Sequence, residues 1–206
     1  PKPQNPIYLK KNLKDFLIFD KIHSNLKNCM AKVLEVKKQE PLTYSLHLAV
    51  APTKLNDRYE WFLEKATEIG VTEITPIICN HSERKAVKID RFEKKIQSAM
   101  KQSLNGYLPK INKAIAFSNF LKLQEGNFHQ KLIAHCEEGI KKSLKSVLKP
   151  NDNTTLLIGP EGDFSTNEIS ESIKAGFIPV TLGNNRLRTE TAAIVACHSV
   201  AFFNED

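Results

Sequence analysis

Two short segments near the C-terminal end of the sequence contain the residue types best suited to chemistry. We call residues 157–164, with Gly159, Pro160, Glu161 and Gly162, the first glycine segment, and residues 182–193 the second glycine segment. Each has the pattern of a strand that runs into a glycine turn and then a helix. In an open α/β sheet such turns lie just beyond the carboxyl ends of strands, where exposed backbone amides bind ligands. Two such turns therefore predict one composite site.

The second glycine segment also brings charged side chains to a predicted helix start. Arg186 and Arg188 are unfavourable beside the positive end of a helix dipole, which favours a role in binding a ligand or partner. Thr189 is a candidate helix cap, and Glu190 can either pair with an arginine or accept a proton. Neither a dinucleotide-binding fingerprint nor a phosphate-binding P-loop pattern occurs in the sequence.

Composition points to an anionic partner. The net charge of +7 and the pI near 9.2 favour nucleic acid, although lysine clusters such as Lys141-Lys142 are also typical of solvated helix faces. No apolar run is long enough for a membrane span and no signal peptide is recognisable, so we expect a cytoplasmic protein without a membrane partner. The four cysteines are far apart in sequence, which predicts reduced, mostly buried thiols and no metal site.

Strands and helices alternate from Tyr44 onward, which predicts an α/β fold with a parallel, doubly wound sheet. Predicted strands cover residues 45–50, 73–79, 131–135, 154–158 and 177–182. The helix that ends at Ile69 is predicted to start at Asn56 or Asp57 and to be closed by Gly70, and short helices are predicted at 117–123 and before Pro150.

Two predicted helix starts have capping boxes, formed by Asp90 with Glu93 and by Ser165 with Glu168. The last helix, from Thr189 to about Phe203, is apolar on nearly every side. It must therefore be buried by the domain, by a partner subunit, or by both.

Residues 1–42 differ from the rest of the chain in composition: they contain several prolines and many lysines, and residues 30–36 alternate like a strand. This segment is too short for an independent core. We therefore divide the chain into a small N-terminal segment, 1–42, and a main domain, 43–206.

Several separate motifs resemble the SPOUT-class RNA methyltransferases, and within that class the bacterial family that methylates N3 of a uridine in 16S ribosomal RNA. Besides the two glycine segments, they are Ala51-Pro52-Thr53-Lys54, residues 60–70, Ser82-Glu83-Arg84 and Lys101-Gln102-Ser103. The resemblance covers roughly residues 44–204. It implies a C-terminal deep trefoil knot that binds S-adenosylmethionine, a homodimer formed through the knot region and the C-terminal helix, and an N-terminal PUA-like RNA-binding module that is only partly represented in residues 1–42.

The resemblance and the chemistry of the implied reaction together suggest roles for individual residues. The catalytic candidates are Arg188 or Arg186, which would stabilise a uracil anion, and Glu190. Glu190 or Glu161 would accept the proton, or would instead orient an arginine or cap a helix. The RNA-binding candidates are Arg84, Lys85 and Arg91, next to the basic N-terminal segment. The cofactor-binding candidates are Ala134, His135, Ile158, Gly159, Pro160, Glu161, Gly162, Leu182, Gly183, Leu187, Arg188, Thr191 and Ala192.

Two departures from the family pattern stand out. The family usually has a second glycine where this sequence has Asp163, and a Gly-Arg pair where it has Leu104-Asn105. The implied partner is 16S ribosomal RNA or the small ribosomal subunit. Two other functions stay open at the level of sequence: methylation of a ribose 2′-hydroxyl by a SPOUT enzyme, and a non-catalytic RNA-binding or assembly factor with a SPOUT-like fold.

Overall fold

The computed structural model describes residues 15–24, 29–127 and 129–205. Within them the strands are β1 (Asp15–Ser24), β2 (Cys29–Lys38), β3 (Ser45–Val50), β4 (Glu73–Ile78), β5 (Lys110–Ile111), β6 (Ile115–Ala116), β7 (Gln130–Ala134), β8 (Lys142–Ser143), β9 (Asn153–Ile158) and β10 (Ile178–Thr181). The helices are α1 (Asn56–Ile69), α2 (Ile89–Gln102), α3 (Phe117–Leu123), α4 (Leu144–Val147), α5 (Thr166–Lys174) and α6 (Thr189–Phe203).

The main sheet is parallel, as the alternation of strands and helices predicts. Its order is β5-β4-β3-β9-β7-β10-β8, with β6 pairing at the end of β4. All of its strand pairs are parallel. The central strands β3 and β9 are buried almost throughout, which is why the sequence shows them as continuous apolar runs.

Helices cover both faces of this sheet, so it is doubly wound. One core lies under α1, α2 and α6 and contains Leu48, Phe62 and Leu156. The other lies under α3 and α5 and contains Phe120, Ile133 and Leu157. Adjacent residues of β9 point to opposite faces, and the two cores divide them accordingly.

Helix ends confirm some local predictions and correct others. The capping box at Ser165 and Glu168 is present, and Gly70 closes α1 with a φ of 123°. The other predicted caps are wrong. Helix α1 begins after Leu55 and α2 after Lys88, and neither start has a side-chain cap.

Helix α6 packs on α1 and across β3 and β9, which explains its apolar sequence. Ala193, Ala196 and Cys197 on this helix are fully buried, whereas Phe202 is 66% exposed. Cys79 is also buried and Cys136 is exposed, so the prediction of mostly buried thiols holds for two of these three. None of the described helices is long and apolar enough to cross a membrane.

The N-terminal strands β1 and β2 form a separate antiparallel pair. The segment after β2 is held to the main domain by Gln39, whose side-chain oxygen accepts a hydrogen bond from Gly106 N (2.5 Å) and whose carbonyl accepts one from Tyr107 Oη (2.7 Å). Leu104, at the start of this loop, has a φ of 56°. The position therefore requires the left-handed conformation that suits the glycine of the family pattern.

Candidate active site

The ends of three neighbouring strands create a cavity. β9, β7 and β10 lie side by side in the sheet and end at Ile158, Ala134 and Thr181. Because parallel strands direct their carboxyl ends to one edge, the loops that follow them meet there. They enclose a cavity of about 560 Å³.

Most of the predicted site residues line this cavity. From the cofactor-binding and catalytic candidates, the lining includes Ala134, His135, Ile158, Gly159, Pro160, Glu161, Leu182, Gly183, Arg186, Leu187, Arg188 and Ala192. Gly162, Thr191 and Glu190 are not part of it. The two glycine segments thus form one composite site, together with the end of β7.

A buried hydrogen bond joins the two glycine segments directly. Thr189 is 5% exposed, and its hydroxyl donates to the carbonyl oxygen of Gly159 at 3.0 Å. The helix cap predicted at Thr189 is therefore wrong: Arg188 is the N-cap residue, and Thr189 is the first residue of α6. The hydroxyl fixes the start of α6 to the end of β9.

Close packing favours glycine at both positions of the first segment. A Cβ on Gly159 would lie 3.1 Å from the Phe164 ring, and one on Gly162 would lie 3.0 Å from His81 Cβ. His81 Nδ1 also lies 3.0 Å from the Gly162 carbonyl oxygen, so the ring both packs on the turn and bonds to it. Gly162 therefore supports the turn from the side of His81.

Asp163 takes the place of the second glycine of the family pattern and adopts the backbone conformation that glycine would adopt there. Its φ is 61°, in the left-handed region that short polar side chains tolerate. Its carboxylate accepts hydrogen bonds from Cys136 N (2.6 Å) and Phe164 N (2.8 Å). Asp163 therefore connects the turn after β9 to the loop after β7.

His135 brings an imidazole to the cavity without a hydrogen-bond partner. Both ring nitrogens are shielded from solvent and neither has a partner among the described residues. Burial lowers the pKa of His135, and the nearby charge of Lys141 lowers it further. The ring is therefore neutral near pH 7. Lys141 donates to the carbonyl oxygens of His135 (3.1 Å) and Glu137 (2.7 Å), which holds the loop after β7 together at the wall of the cavity.

The loop after β10 leaves its backbone available to a ligand. Thr181 Oγ1 donates to the Gly183 carbonyl at 2.7 Å and so shapes the turn, in which Gly183 has a φ of 128°. Within the described chain, the amides of residues 184–188 donate no hydrogen bond to a protein group. Arg186 and Arg188 are exposed and line the cavity. The loop thus offers amide donors and two guanidiniums at one place.

Glu190 follows this loop directly and does not line the cavity. It is 6% exposed, its Oε1 lies 3.7 Å from Arg58 Nε on α1, and its Oε2 has no partner among the described groups. A carboxylate in the first turn of α6 is also stabilised by the helix dipole. Its position fits a residue that fixes α6 against α1 better than one that contacts a substrate.

Two of the predicted RNA-binding residues have protein partners. Arg84 donates to the carbonyls of Thr53 (3.1 Å) and Lys54 (2.8 Å), and the amide of Lys54 in turn donates to Glu161 Oε1 of the cavity (2.9 Å). Arg91 contacts Glu60 and lies 3.8 Å from Asp57, whereas Lys85 is exposed. An RNA contact by these residues remains a prediction.

Sequence reasoning missed several residues of the cavity wall. They are Cys136, Lys141, Asp163, Val180, Thr181 and Thr189. Asn184 and Asn185, which also line the cavity, fall within the range 182–187 that the resemblance implies for cofactor binding. The loop after β7 contains no glycine turn next to its strand, and only the position of β7 between β9 and β10 shows that it belongs to the site.

Comparison with known proteins places the chain in a family. A model of the RNA methyltransferase domain matches residues 38–201. A protein of Rickettsia conorii named ribosomal RNA small subunit methyltransferase E is 34% identical over 84% of this chain and 71% of its own length. A protein of the same name from Mesomycoplasma hyopneumoniae is 38% identical over 72% of this chain. The match covers 65% of the length of that relative, which is just under two thirds.

Solved structures agree with the sequence comparison. The crystal structure of a ribosomal RNA small subunit methyltransferase E from Neisseria gonorrhoeae bound to S-adenosyl methionine aligns with a TM-score of 0.84, at 25% identity, over 94% of this chain and 81% of that one. The resemblance predicted from the two glycine segments is thereby confirmed. The protein belongs to the RNA methyltransferase domain family.

Proposed function

We propose that this protein transfers a methyl group from S-adenosylmethionine to N3 of a uridine in the 16S ribosomal RNA of the small subunit. The observation that carries the proposal is the meeting of both glycine segments in one cavity at the ends of β9, β7 and β10. The names of the relatives support the reaction, and the cofactor bound to the Neisseria gonorrhoeae enzyme supports the choice of methyl donor.

The cavity suits S-adenosylmethionine in size and chemistry. Its volume of about 560 Å³ lies within the usual range of small-molecule sites. The free amides of residues 184–188 can donate to polar atoms of the cofactor, and the carboxylates of Glu161 and Asp163 complement its positive charge. The cofactor supplies a methyl group already activated on a sulfonium.

The protein then has to orient the uracil and favour the loss of its N3 proton. Arg188 and Arg186, exposed at the cavity, would place guanidinium donors near the uracil oxygens and stabilise the anion. Positioning of this kind accounts for much of the catalysis when the transferred group is already activated. We assign Glu190 a positioning role through Arg58 and α6, because its carboxylate lies outside the cavity lining.

The test is methyl transfer with a mapped product. The purified chain is incubated with labelled S-adenosylmethionine and small-subunit RNA or subunits, and the labelled nucleoside is identified. We expect 3-methyluridine, and Arg188→Ala should reduce the rate at saturating cofactor by roughly 10²–10³. Arg188→Lys is the matched variant, which keeps the charge but loses the planar fork of donors.

Two alternative functions are outcomes of the same experiment. Label on a ribose, with a product that resists alkaline cleavage, would show a 2′-hydroxyl methyltransferase. Absence of cofactor binding in calorimetry, with RNA affinity retained, would show a non-catalytic assembly factor. Either result refutes the proposed reaction.

We also propose the family architecture for the C-terminal part. A trefoil knot at the cofactor site is supported by the crossover from β9 past β7 to β10 and by the bond from Thr189 back to Gly159. A homodimer through the knot region and α6 is supported by the exposed Phe202 and the half-buried Ile194 and Val195. Light scattering on a size-exclusion column tests the dimer, and Phe202→Glu should yield monomers if α6 lies in the interface.

The division of the chain belongs to the same proposal. Residues 1–42 would be part of a PUA-like RNA-binding module, and residues 43–206 would be the SPOUT methyltransferase domain, with a cytoplasmic location where ribosomal RNA is available. The antiparallel pair β1–β2 and its attachment through Gln39 support a separate N-terminal unit. Deletion of residues 1–38 should weaken RNA binding and leave cofactor binding intact.

A further inference from the structure

A run of lysines borders the cavity on the side of β8 and α4. Residues 139–151 contain Lys141, Lys142, Lys145 and Lys149 and no acidic residue. The last three are exposed, and none of them forms an ion pair within the described parts of the chain. We call Lys142, Lys145 and Lys149 the lysine edge.

The fold connects the lysine edge to the cavity. β8 is the edge strand beside β10, with Lys142 paired to Val180 and Ser143 paired to Thr181, the last residue before the second glycine segment. From there the chain turns through α4 and reaches the C-terminal end of α6, where Asn151 N donates to Asn204 Oδ1 at 2.7 Å. The lysine edge therefore runs from the cavity mouth down one side of the domain.

This segment is held in place, so its charges have a defined arrangement. Leu144 and Leu148 are buried in the main core, and Ser143 Oγ caps α4 through the amide of Ser146 at 3.3 Å. On the cavity side, the Lys141 ammonium donates hydrogen bonds to the carbonyl oxygens of His135 and Glu137. Lys141 thus anchors the segment, and the exposed lysines that follow are free to contact a partner.

An apolar side chain lies next to these charges. Ile140 is 99% exposed, although its neighbour Lys141 is anchored on the wall of the cavity. A single exposed isoleucine is common and has no meaning alone. Beside three unpaired lysines and a cavity mouth, it can pack on the face of a base or on a ribose while the lysines contact phosphates.

We propose that the lysine edge, with Ile140, is a binding surface for the phosphate backbone of the substrate RNA next to the target nucleotide. The inference rests on the proposed function and adds a surface distinct from the N-terminal segment and from Arg84, Lys85 and Arg91. The partner is an RNA because the surface combines unpaired positive charge, an exposed apolar contact and direct access to the site where the base must enter.

The experiment measures RNA affinity against salt for two triple variants with the same charge change. K142Q/K145Q/K149Q removes the lysine edge. K113Q/K122Q/K174Q is the matched control and removes exposed lysines on other elements, namely the loop between β5 and β6, α3 and α5. Naked small-subunit RNA is titrated between about 50 and 200 mM salt. Cofactor affinity is measured by calorimetry to verify that each variant keeps an intact cavity.

For the lysine edge variant we expect the slope of log K against log salt to become less steep by about 2 to 3, because each lost phosphate contact contributes about 0.7 to 0.9. Its affinity near 0.1 M salt should fall roughly tenfold to hundredfold, against less than about threefold for the control. I140S should lower affinity by about threefold to tenfold with the slope unchanged, since it removes only apolar contact.

Each other outcome overturns the inference. If RNA affinity and its salt dependence change equally in both triple variants, only the overall charge of the protein matters. If both quantities are the same in the lysine edge variant as in the wild type, RNA does not contact the lysine edge. In both cases a wild-type protein that still methylates its RNA leaves the proposed function intact. A wild-type protein without affinity for small-subunit RNA overturns both.

Discussion

Replacement of Thr189 by valine removes the hydrogen bond between the two glycine segments with almost no change in shape. The Thr189 hydroxyl donates to the Gly159 carbonyl at 3.0 Å, and no other described group donates to that carbonyl. Thr189 is 5% exposed, so water cannot easily replace the hydroxyl. An unsatisfied buried acceptor costs about 1–3 kcal/mol, and we expect Thr189→Val to lower the free energy of unfolding by that amount.

Urea denaturation followed through the single tryptophan, Trp61 on α1, measures this loss, and a domain of this size should melt about 2–4 °C lower for each kcal/mol. Cofactor affinity should fall as well, because the Gly159 turn lines the cavity and loses its support. Thr189→Ser keeps the hydroxyl and is the control, with an expected loss of less than half that of the valine variant. If the valine variant stays within about 0.5 kcal/mol of wild type and binds the cofactor normally, the bond does not hold the site together.

Three further predictions concern strained or buried residues. Leu104→Gly should raise the free energy of unfolding by about 0.5–1 kcal/mol in urea denaturation, since relief of its left-handed φ of 56° outweighs the entropy of glycine, and Leu104→Ala should gain nothing. Asp163→Ala should lower the free energy of unfolding by about 1 kcal/mol more than Asp163→Gly does. Both variants lose the hydrogen bonds to Cys136 and Phe164, but only glycine adopts a φ of 61° without strain. Equal melting temperatures of the two variants would contradict this. Burial lowers the pKa of His47 from 6.5 to about 4, so as the pH falls the unfolded chain takes up a proton at His47 before the folded protein does. Between about pH 6.5 and 4 the free energy of unfolding of the wild type should therefore fall by up to about 3 kcal/mol more than that of His47→Gln. Parallel stability curves for the two proteins would refute that assignment.

Local features of the fold could be predicted from the sequence because they depend on neighbouring residues. The capping box of Ser165 and Glu168 lies within one turn, and Gly70 ends α1 through its own backbone conformation. The cap predicted at Asn56 failed because a tertiary contact competes for its side chain. Asn56 Oδ1 accepts a hydrogen bond from Arg84 Nη1 at 2.5 Å and does not cap α1.

The site could be predicted only in part, for the same physical reason. The two glycine segments are recognisable because tight turns restrict residue type. The order β9-β7-β10, which brings His135 and Lys141 to the cavity, depends on packing across the whole sheet. Likewise, the contact between Glu190 and Arg58 joins residues more than a hundred positions apart in the sequence, so no local pattern could predict it.

The central pairing of β3 with β9 also governs when the fold can form. Ser45 pairs with Asn153 and Val50 with Ile158, so the innermost strands of the sheet are separated by about a hundred residues of chain. Closure of a loop of that length costs about 4 kcal/mol of chain entropy before any contact compensates for it. During synthesis, the edge of β3 that pairs with β9 therefore stays unpaired until β9 has been synthesised. We expect folding to be slow, because the central contacts of the sheet are non-local in sequence. A nascent chain that ends before β9 should then expose the edge of β3 to other chains, which makes this interval the stage at which the protein is most prone to aggregate.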